Sequence, residues 1–327
     1  MENKLVTYPI KFKPILKQKV WGGNKLVSSL NKHSKDSQIG ESWEVSGVRE
    51  NLSVISNGKY ESNTITDLLI KYKEQFVGKK TYNIFQNKFP LLLKFIDASE
   101  NLSIQLHPND ELAKERHDSF GKTEMWYVVD ADREAKLYAA FNKELDKSSY
   151  LKYFNSGKLL DVVREEEVEK GDAFFIEVGT IHAIGKGVLL AEIQQTSDIT
   201  YRIFDWDRVG LDGEKRELHT ELALDAFDFN KNKSCKLQYS KNENEVNKVY
   251  SCKYFTTNCL DLKVPYIRKV SELDSFVVYM CLEGKGKVVV EGNEEEIIKG
   301  TTVMIPACSG YVRVFPDEKI KLLEVYI

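Results

Sequence analysis

Short runs in which apolar and polar residues alternate dominate the chain. In LSIQLHP (102–108), Leu102, Ile104 and Leu106 fall on one face of a strand and Ser103, Gln105 and His107 on the other, before Pro108 ends the run. That polar face either meets water or lines a pocket. Other β-type runs are WEVSG (43–47), EMWYVVD (124–130), AKLYAAF (135–141), DAFFIEVG (172–179), VLLAEIQQ (188–195), VVYMCLEG (277–284), KVVVEG (287–292) and TVMIPA (302–307). Turn residues at close intervals between them predict a sandwich or barrel rather than a parallel α/β sheet. Helical spacing appears in three stretches, Thr64 to Phe85, Lys143 to Val163 and Leu218 to Phe227, which are expected outside the β core.

The pattern also repeats. EKGDAFFIEVGTIH (169–182) and IKGTTVMIPACSGY (298–311) each place a Lys-Gly turn before a strand, with Tyr311 where the first copy has His182. Upstream, 126–137 laid beside 278–289 puts Tyr127 opposite Tyr279 and Phe276 opposite Glu124. Two copies of one β-barrel unit follow, with any metal confined to the first. The polar stretch from Asn230 to Asn247 is the expected linker, dividing the chain into 1–230 and 231–327.

Composition narrows the function. In 327 residues, 47 basic and 50 acidic side chains leave a net charge of -3, which argues against a general nucleic-acid or anionic-membrane surface. The start, MENKLVTYPIKFKPI, lacks a signal-like apolar run, and FPLLLKFI (89–96) is too short to span a bilayer, so a cytoplasmic protein is expected. Cys235, Cys252, Cys259, Cys281 and Cys308 show no CxxC pair and are expected as free thiols.

Among the histidines, His33 and His117 sit in polar surroundings, and His219 falls in a helical stretch where it could cap or touch a strand. His107 and His182 lie in β-type runs. With Gln105 on the same face as His107, and with Glu124 opening the next run, they offer two imidazole nitrogens and two oxygens, a set suited to Zn²⁺. Spacing alone does not separate this from ordinary strand histidines.

Six motifs in order do more. VWGG (20–23), GESWEVS (40–46), LSIQLHP (102–108), KTEMWYV (122–128), VGTIHAI (178–184) and EIQQTSDITYRIFDWDR (192–208) together resemble the compact bacterial form of the type I phosphomannose isomerases, of the cupin class. The resemblance implies a mainly β fold of two cupin-type jelly-roll barrels with a few added helices, the second degenerate. It implies one Zn²⁺ per chain on Gln105, His107, Glu124 and His182, and an active-site arginine at Arg202. The implied reaction interconverts mannose 6-phosphate and fructose 6-phosphate.

Proton transfer between adjacent sugar carbons needs an acid/base group and a means of stabilising an enediolate. Lys122, on the face of Glu124, is the first candidate carrier, since a lysine beside a dication should have a lowered pKa. Asp198 is the second and Glu192 the third. Arg202 is expected near the reacting carbons, its bland alternative being an ion pair with Asp205 or Asp207. Trp21, Trp43 and Glu44 are expected against the sugar, and Lys94, Arg202 and Ser103 at the phosphate. GKGKVVVEG (284–292) reads as a hairpin rather than a phosphate loop. The competing readings are a cupin dioxygenase or an isomerase of another substrate on the same ligands, and a sugar-binding cupin without catalysis. A small-molecule sugar phosphate is the expected partner, and oligomeric state stays open.

Overall fold

The computed structural model describes residues 4–230 and 232–327. Residues 1–3 and Lys231, where the two expected domains would begin, lie outside the described residues. In chain order the first strands are β1 (Ile10–Lys11), β2 (Ile15–Gly23), β3 (Ile39–Ser46), β4 (Leu91–Asp97), β5 (Ile104–Leu106) and β6 (Glu124–Ala131). Next come β7 (Lys136–Phe141), β8 (Val163–Glu167), β9 (Ala173–Ile176), β10 (His182–Ile184), β11 (Val188–Gln195) and β12 (Tyr201–Phe204). The last are β13 (Val246–Ser251), β14 (Thr256–Leu262), β15 (Tyr266–Lys269), β16 (Val277–Val290), β17 (Asn293–Ile298), β18 (Thr302–Ile305) and β19 (Tyr311–Tyr326).

The fold is mainly β, as expected. One sheet runs β2-β3-β4-β11-β6-β9 and a second β12-β5-β10-β7-β8. Apolar side chains from both, among them Trp126, Val128 and Leu190 from the first and Leu137, Ala139 and Ile184 from the second, form one buried cluster. The third sheet runs β1-β18-β16-β19-β14-β13, with β15 on β19 and β17 on β16. Among the described residues, the short β1 is thus the sole strand from the first two hundred to join it.

The predicted helical stretches are present but broken. Thr64 and Asp67 form a capping box at the start of the helix Ile65–Tyr72. Lys73 (φ 49°) and Gly78 (φ 93°) then split the stretch into further short helices, Glu74–Val77 and Lys79–Phe85. Gly78 is required there: a Cβ would meet the Asp274 carbonyl oxygen at 2.0 Å. Lys147–Asn155 and Thr220–Ala226 are helical, and so are Lys25–Leu30 and Asp110–His117 outside the three stretches.

Two expectations need correcting. VVYMCLEG and KVVVEG are a single strand, β16, whose irregular register at Cys281/Glu283 and Gly284/Gly286 carries it through Gly-Lys-Gly. The hairpin turn falls later, at Glu291-Gly292, both with positive φ, and leads into β17. The repeat is also one residue out of step upstream. Gly171 (φ 88°) and Gly300 (φ 86°) do precede matching strands, β9 and β18. Across the ladders, however, Ala173 pairs with Tyr127 while Thr302 pairs with Met280. The partner of Trp126 is therefore Tyr279, and that of Glu124 is Val277, not Phe276. A slip of one exchanges the two faces of a strand.

With that register, a shared polar motif appears. Glu192 pairs with Trp126 and Lys94, and Glu324 with Tyr279 and Asn258. Glu324 has no exposed surface. It accepts hydrogen bonds from Asn258 Nδ2 (2.8 Å), Tyr266 Oη (3.1 Å), Tyr279 Oη (3.0 Å) and the Arg268 guanidinium (Nε 3.0 Å), so the carboxylate is filled by its own neighbours. Removing one partner of a buried pair strands the others. Glu324→Ala is expected to lower unfolding free energy by about 3 kcal/mol in a denaturant titration, and a loss under ~0.5 kcal/mol would contradict this account of the network.

Candidate active site

Side chains from both sheets of the first half converge on one cavity of about 370 Å³. Its end is set by register: His182, first residue of β10, lies directly opposite Gln105 of β5. His107 follows β5 and Glu124 opens β6. The candidate ligand atoms of His107, Glu124 and His182 lie within 4.8 Å of one another, all three residues buried. The Nε2 atoms of His107 and His182 are each 3.5 Å from a Glu124 carboxylate oxygen. Gln105 joins them, its amide nitrogen 3.4 Å from His182 Nε2 while its oxygen accepts from Ser103 Oγ at 3.2 Å.

The tautomers follow from the backbone. His107 Nδ1 donates to the Ile199 carbonyl and His182 Nδ1 to that of Thr180, each at 2.9 Å, which turns both Nε2 lone pairs toward Glu124. Burial, reinforced by Lys122 and His182, holds His107 well below the usual imidazole range, and burial lowers His182 to about 4. Both rings are neutral at pH 7, the form that ligates a metal. Glu124 is pushed to about 8 by burial and by the Glu192 charge, against the opposing Lys122 ammonium. A fully buried carboxyl group facing two imidazole lone pairs is a cation-binding arrangement.

Lys122 Nζ lies 3.0 Å from both Glu124 Oε2 and His107 Nε2. Burial would lower its pKa, but Glu124 and Glu192 outweigh burial and raise it. Glu192 is likewise opposed by burial, yet Lys94 (3.1 Å) and Lys122 (3.8 Å) keep it well below the carboxylate range. Trp126 Nε1 donates to it at 3.4 Å.

Trp21, Lys94, Ser103, Lys122, Glu192, Asp198 and Arg202 all line the cavity, with Asp198 at an exposed position. Arg202 makes no ion pair among the described residues. Asp205 instead takes Arg208 and Arg216, and Asp207 faces Lys215 at 3.7 Å, so the bland reading of Arg202 fails. Its Nη1 donates to the Glu217 carbonyl at 2.7 Å, and its backbone N–H donates to His219 Nδ1, which gives His219 its strand contact.

Glu44 does not line this cavity. Its carboxylate turns to Lys32 (2.7 Å) and Ser42, at a second cavity beside Gly300. Its strand neighbours Glu41 and Trp43 face the site instead, joined by the indole N–H at 2.6 Å. Adjacent strand residues point to opposite faces, so Trp43 and Glu44 could not both have entered. Lys17, Lys19, Asn51, Thr200 and Arg216 also reach the cavity, and the sequence reading passed over them. For Lys17 and Lys19 the signal was available, since they alternate with Trp21 in KQKVW. For Arg216 and Asn51, in loops, it was not.

Residues 10–143 match the family described as phosphomannose isomerase type I, catalytic domain. The chain is 30% identical over 308 residues to the mannose-6-phosphate isomerase ManA of Bacillus subtilis, covering 92% of this chain and 94% of that protein. It is 30% identical to the mannose-6-phosphate isomerase of Streptococcus mutans over 91% of this chain and 92% of the relative. A crystal structure of the mannose 6-phosphate isomerase from Bacillus subtilis shares its fold with a TM-score of 0.88 at 28% identity, covering 98% of this chain and 99% of the other. The likeness therefore extends over whole chains, beyond the matched domain.

The turn of Glu44 away from the cavity has a measurable consequence. Glu44→Ala leaves Lys32 buried without its carboxylate and is expected to cost roughly 3 kcal/mol of stability while the KM for substrate stays at the wild-type value. A large rise in KM at unchanged stability would return Glu44 to the substrate site.

Proposed function

The chain belongs to the type I phosphomannose isomerases, and from that premise we propose how its cavity works. It is an aldose–ketose isomerase acting on mannose 6-phosphate. The proposed cofactor is Zn²⁺, one per chain, held by Gln105, His107, Glu124 and His182. The observation that carries this reading is the buried cluster of His107, Glu124 and His182, in which two neutral imidazole nitrogens meet the Glu124 carboxyl group. Two nitrogens with oxygen donors suit this borderline cation. When bound, Zn²⁺ supplies Lewis-acid charge against the negative charge that develops on the sugar oxygens.

The side chains supply the rest. Lys122 and Asp198 carry the proton between the two sugar carbons, Lys122 from the wall and Asp198 from the mouth. Glu192, ionised between Lys94 and Lys122, aims both side chains into the cavity. Arg202 offers a planar fork of donors to the enediolate, because no carboxylate occupies it. Trp21 packs on the sugar, and Ser103 and Lys94 bond to it. The proposed division of the chain at residues 230 and 231 sets this catalytic cupin unit beside a second unit without metal ligands. The matching glycines at 171 and 300 support it, as does the Tyr279–Glu324–Asn258 counterpart of Trp126–Glu192–Lys94.

A coupled assay for fructose 6-phosphate formation tests the reading on metal-analysed protein, on chelated protein with Zn²⁺ restored, and on His182→Ala. Turnover is expected to follow Zn²⁺ content and to fall by at least roughly a hundredfold in the variant. Full activity in His182→Ala would remove the metal assignment. Turnover that requires iron and oxygen would mark a dioxygenase instead.

A further inference from the structure

Six cations line the cavity, and their partners distinguish them. Lys19 is 3.3 Å from Glu41, Lys94 is 3.1 Å from Glu192, Lys122 is 3.0 Å from Glu124, and Arg216 is paired with Asp205. Among the described residues, Lys17 and Arg202 have no carboxylate. Arg202 is paired in register with Gln105, so it stands at the metal end. Lys17 stands on the edge strand β2, with β3, β4 and β11 between it and the strand β6 that Glu124 opens. It projects from β2, its Nζ donating to Asn51 Oδ1 and lying 5.0 Å from the centre of the Trp43 ring. Lys94 Nζ lies 5.2 Å from the same ring and leads through Glu192 to Lys122 and Glu124. Between Lys17 and the candidate ligands there is thus an indole and then a buried ion-pair series.

We propose that Lys17, held by Asn51 and Trp43, takes the phosphate of the substrate and selects phosphorylated over free sugar. The inference rests on the reading of this cavity as the isomerase site. A hexose 6-phosphate carries its phosphate at the end opposite the carbons that exchange the proton, which matches a free cation on the edge strand, away from the strand that Glu124 opens. Charge pairing argues the same way. For Lys94 to take a phosphate it would have to leave Glu192, stranding a carboxylate that is 3% exposed. Lys17 gives up only a neutral amide oxygen. An ammonium is an effective phosphate ligand as a point charge, and one charge-assisted hydrogen bond is worth about tenfold or more in affinity.

The test is steady-state kinetics of the zinc-loaded enzyme, with mannose 6-phosphate as substrate and inorganic phosphate as competing inhibitor, in wild type, Lys17→Met, Lys17→Arg and His182→Ala. Lys17→Met is expected to raise KM and the inhibition constant of phosphate together by about tenfold, more than it lowers kcat, and Lys17→Arg to restore most of both. If Lys17→Met leaves KM and phosphate inhibition unchanged while His182→Ala is inactive, the proposal for Lys17 is overturned and the site reading survives. Full turnover in His182→Ala would overturn both.

Discussion

Everything about this cavity depends on how four buried charges are balanced. Lys94, Lys122, Glu124 and Glu192 are each at most 5% exposed, and an isolated charge so placed would cost many kcal/mol. They are kept by mutual contact, with Glu192 between the two lysines and Lys122 between the two carboxylates. With Glu124 ionised, as a bound cation would require, two positive and two negative groups cancel. A dication added at Glu124 would leave the cavity with an excess of positive charge, to which Arg202 and Lys17 contribute further. A phosphorylated sugar brings close to two negative charges at neutral pH. The balance therefore accounts for an anionic substrate without any dedicated glycine-rich loop.

Strand register delivers those charges to one place. Lys94, Glu192 and Trp126 stand abreast on β4, β11 and β6, and His182 faces Gln105 across β10 and β5. In the third sheet the same positions hold Asn258, Glu324 and Tyr279, and there the Arg268 guanidinium closes on Glu324. One ladder geometry thus supports two outcomes. Where the carboxylate is shared by lysines that have other partners, a polar space stays open. Where a guanidinium, two phenols and an amide satisfy it, the carboxylate is filled by its own neighbours.

Much of this was legible in the sequence, and the misses have physical causes. Alternation in LSIQLHP put Ser103, Gln105 and His107 on one face, and the side chains do share it. The strands were recognisable because most are short, half-polar and bounded by turn residues. Glu44 was misread by treating GESWEVS as one block, although period two separates Trp43 from Glu44. The repeat slipped by a residue because a tyrosine was matched to a tyrosine, whereas the ladder matches Tyr279 to Trp126. The helical stretch after Thr64 looked continuous because Lys73 gives no sign in sequence of a positive φ. Arg216 was out of reach for another reason: its place beside the cavity comes from the fold of the loop after β12.

That loop separates two kinds of wall. Gln105, Glu124, His182 and Lys94 come from strands whose positions are fixed by ladders on both sides, so small shifts there would have to move whole sheets. Beside the cavity, Asp205 accepts from both Arg208 and Arg216 and thereby holds the segment after β12 together. Burial opposes the ionised form of Asp205, but the two guanidinium groups outweigh it and hold the carboxyl below its usual range. The clamp costs Arg216 its availability as a phosphate ligand while leaving Arg202 free. Positioning a loop and binding an anion compete for the same arginines, and here the two demands are divided between neighbours on one strand and its following turn.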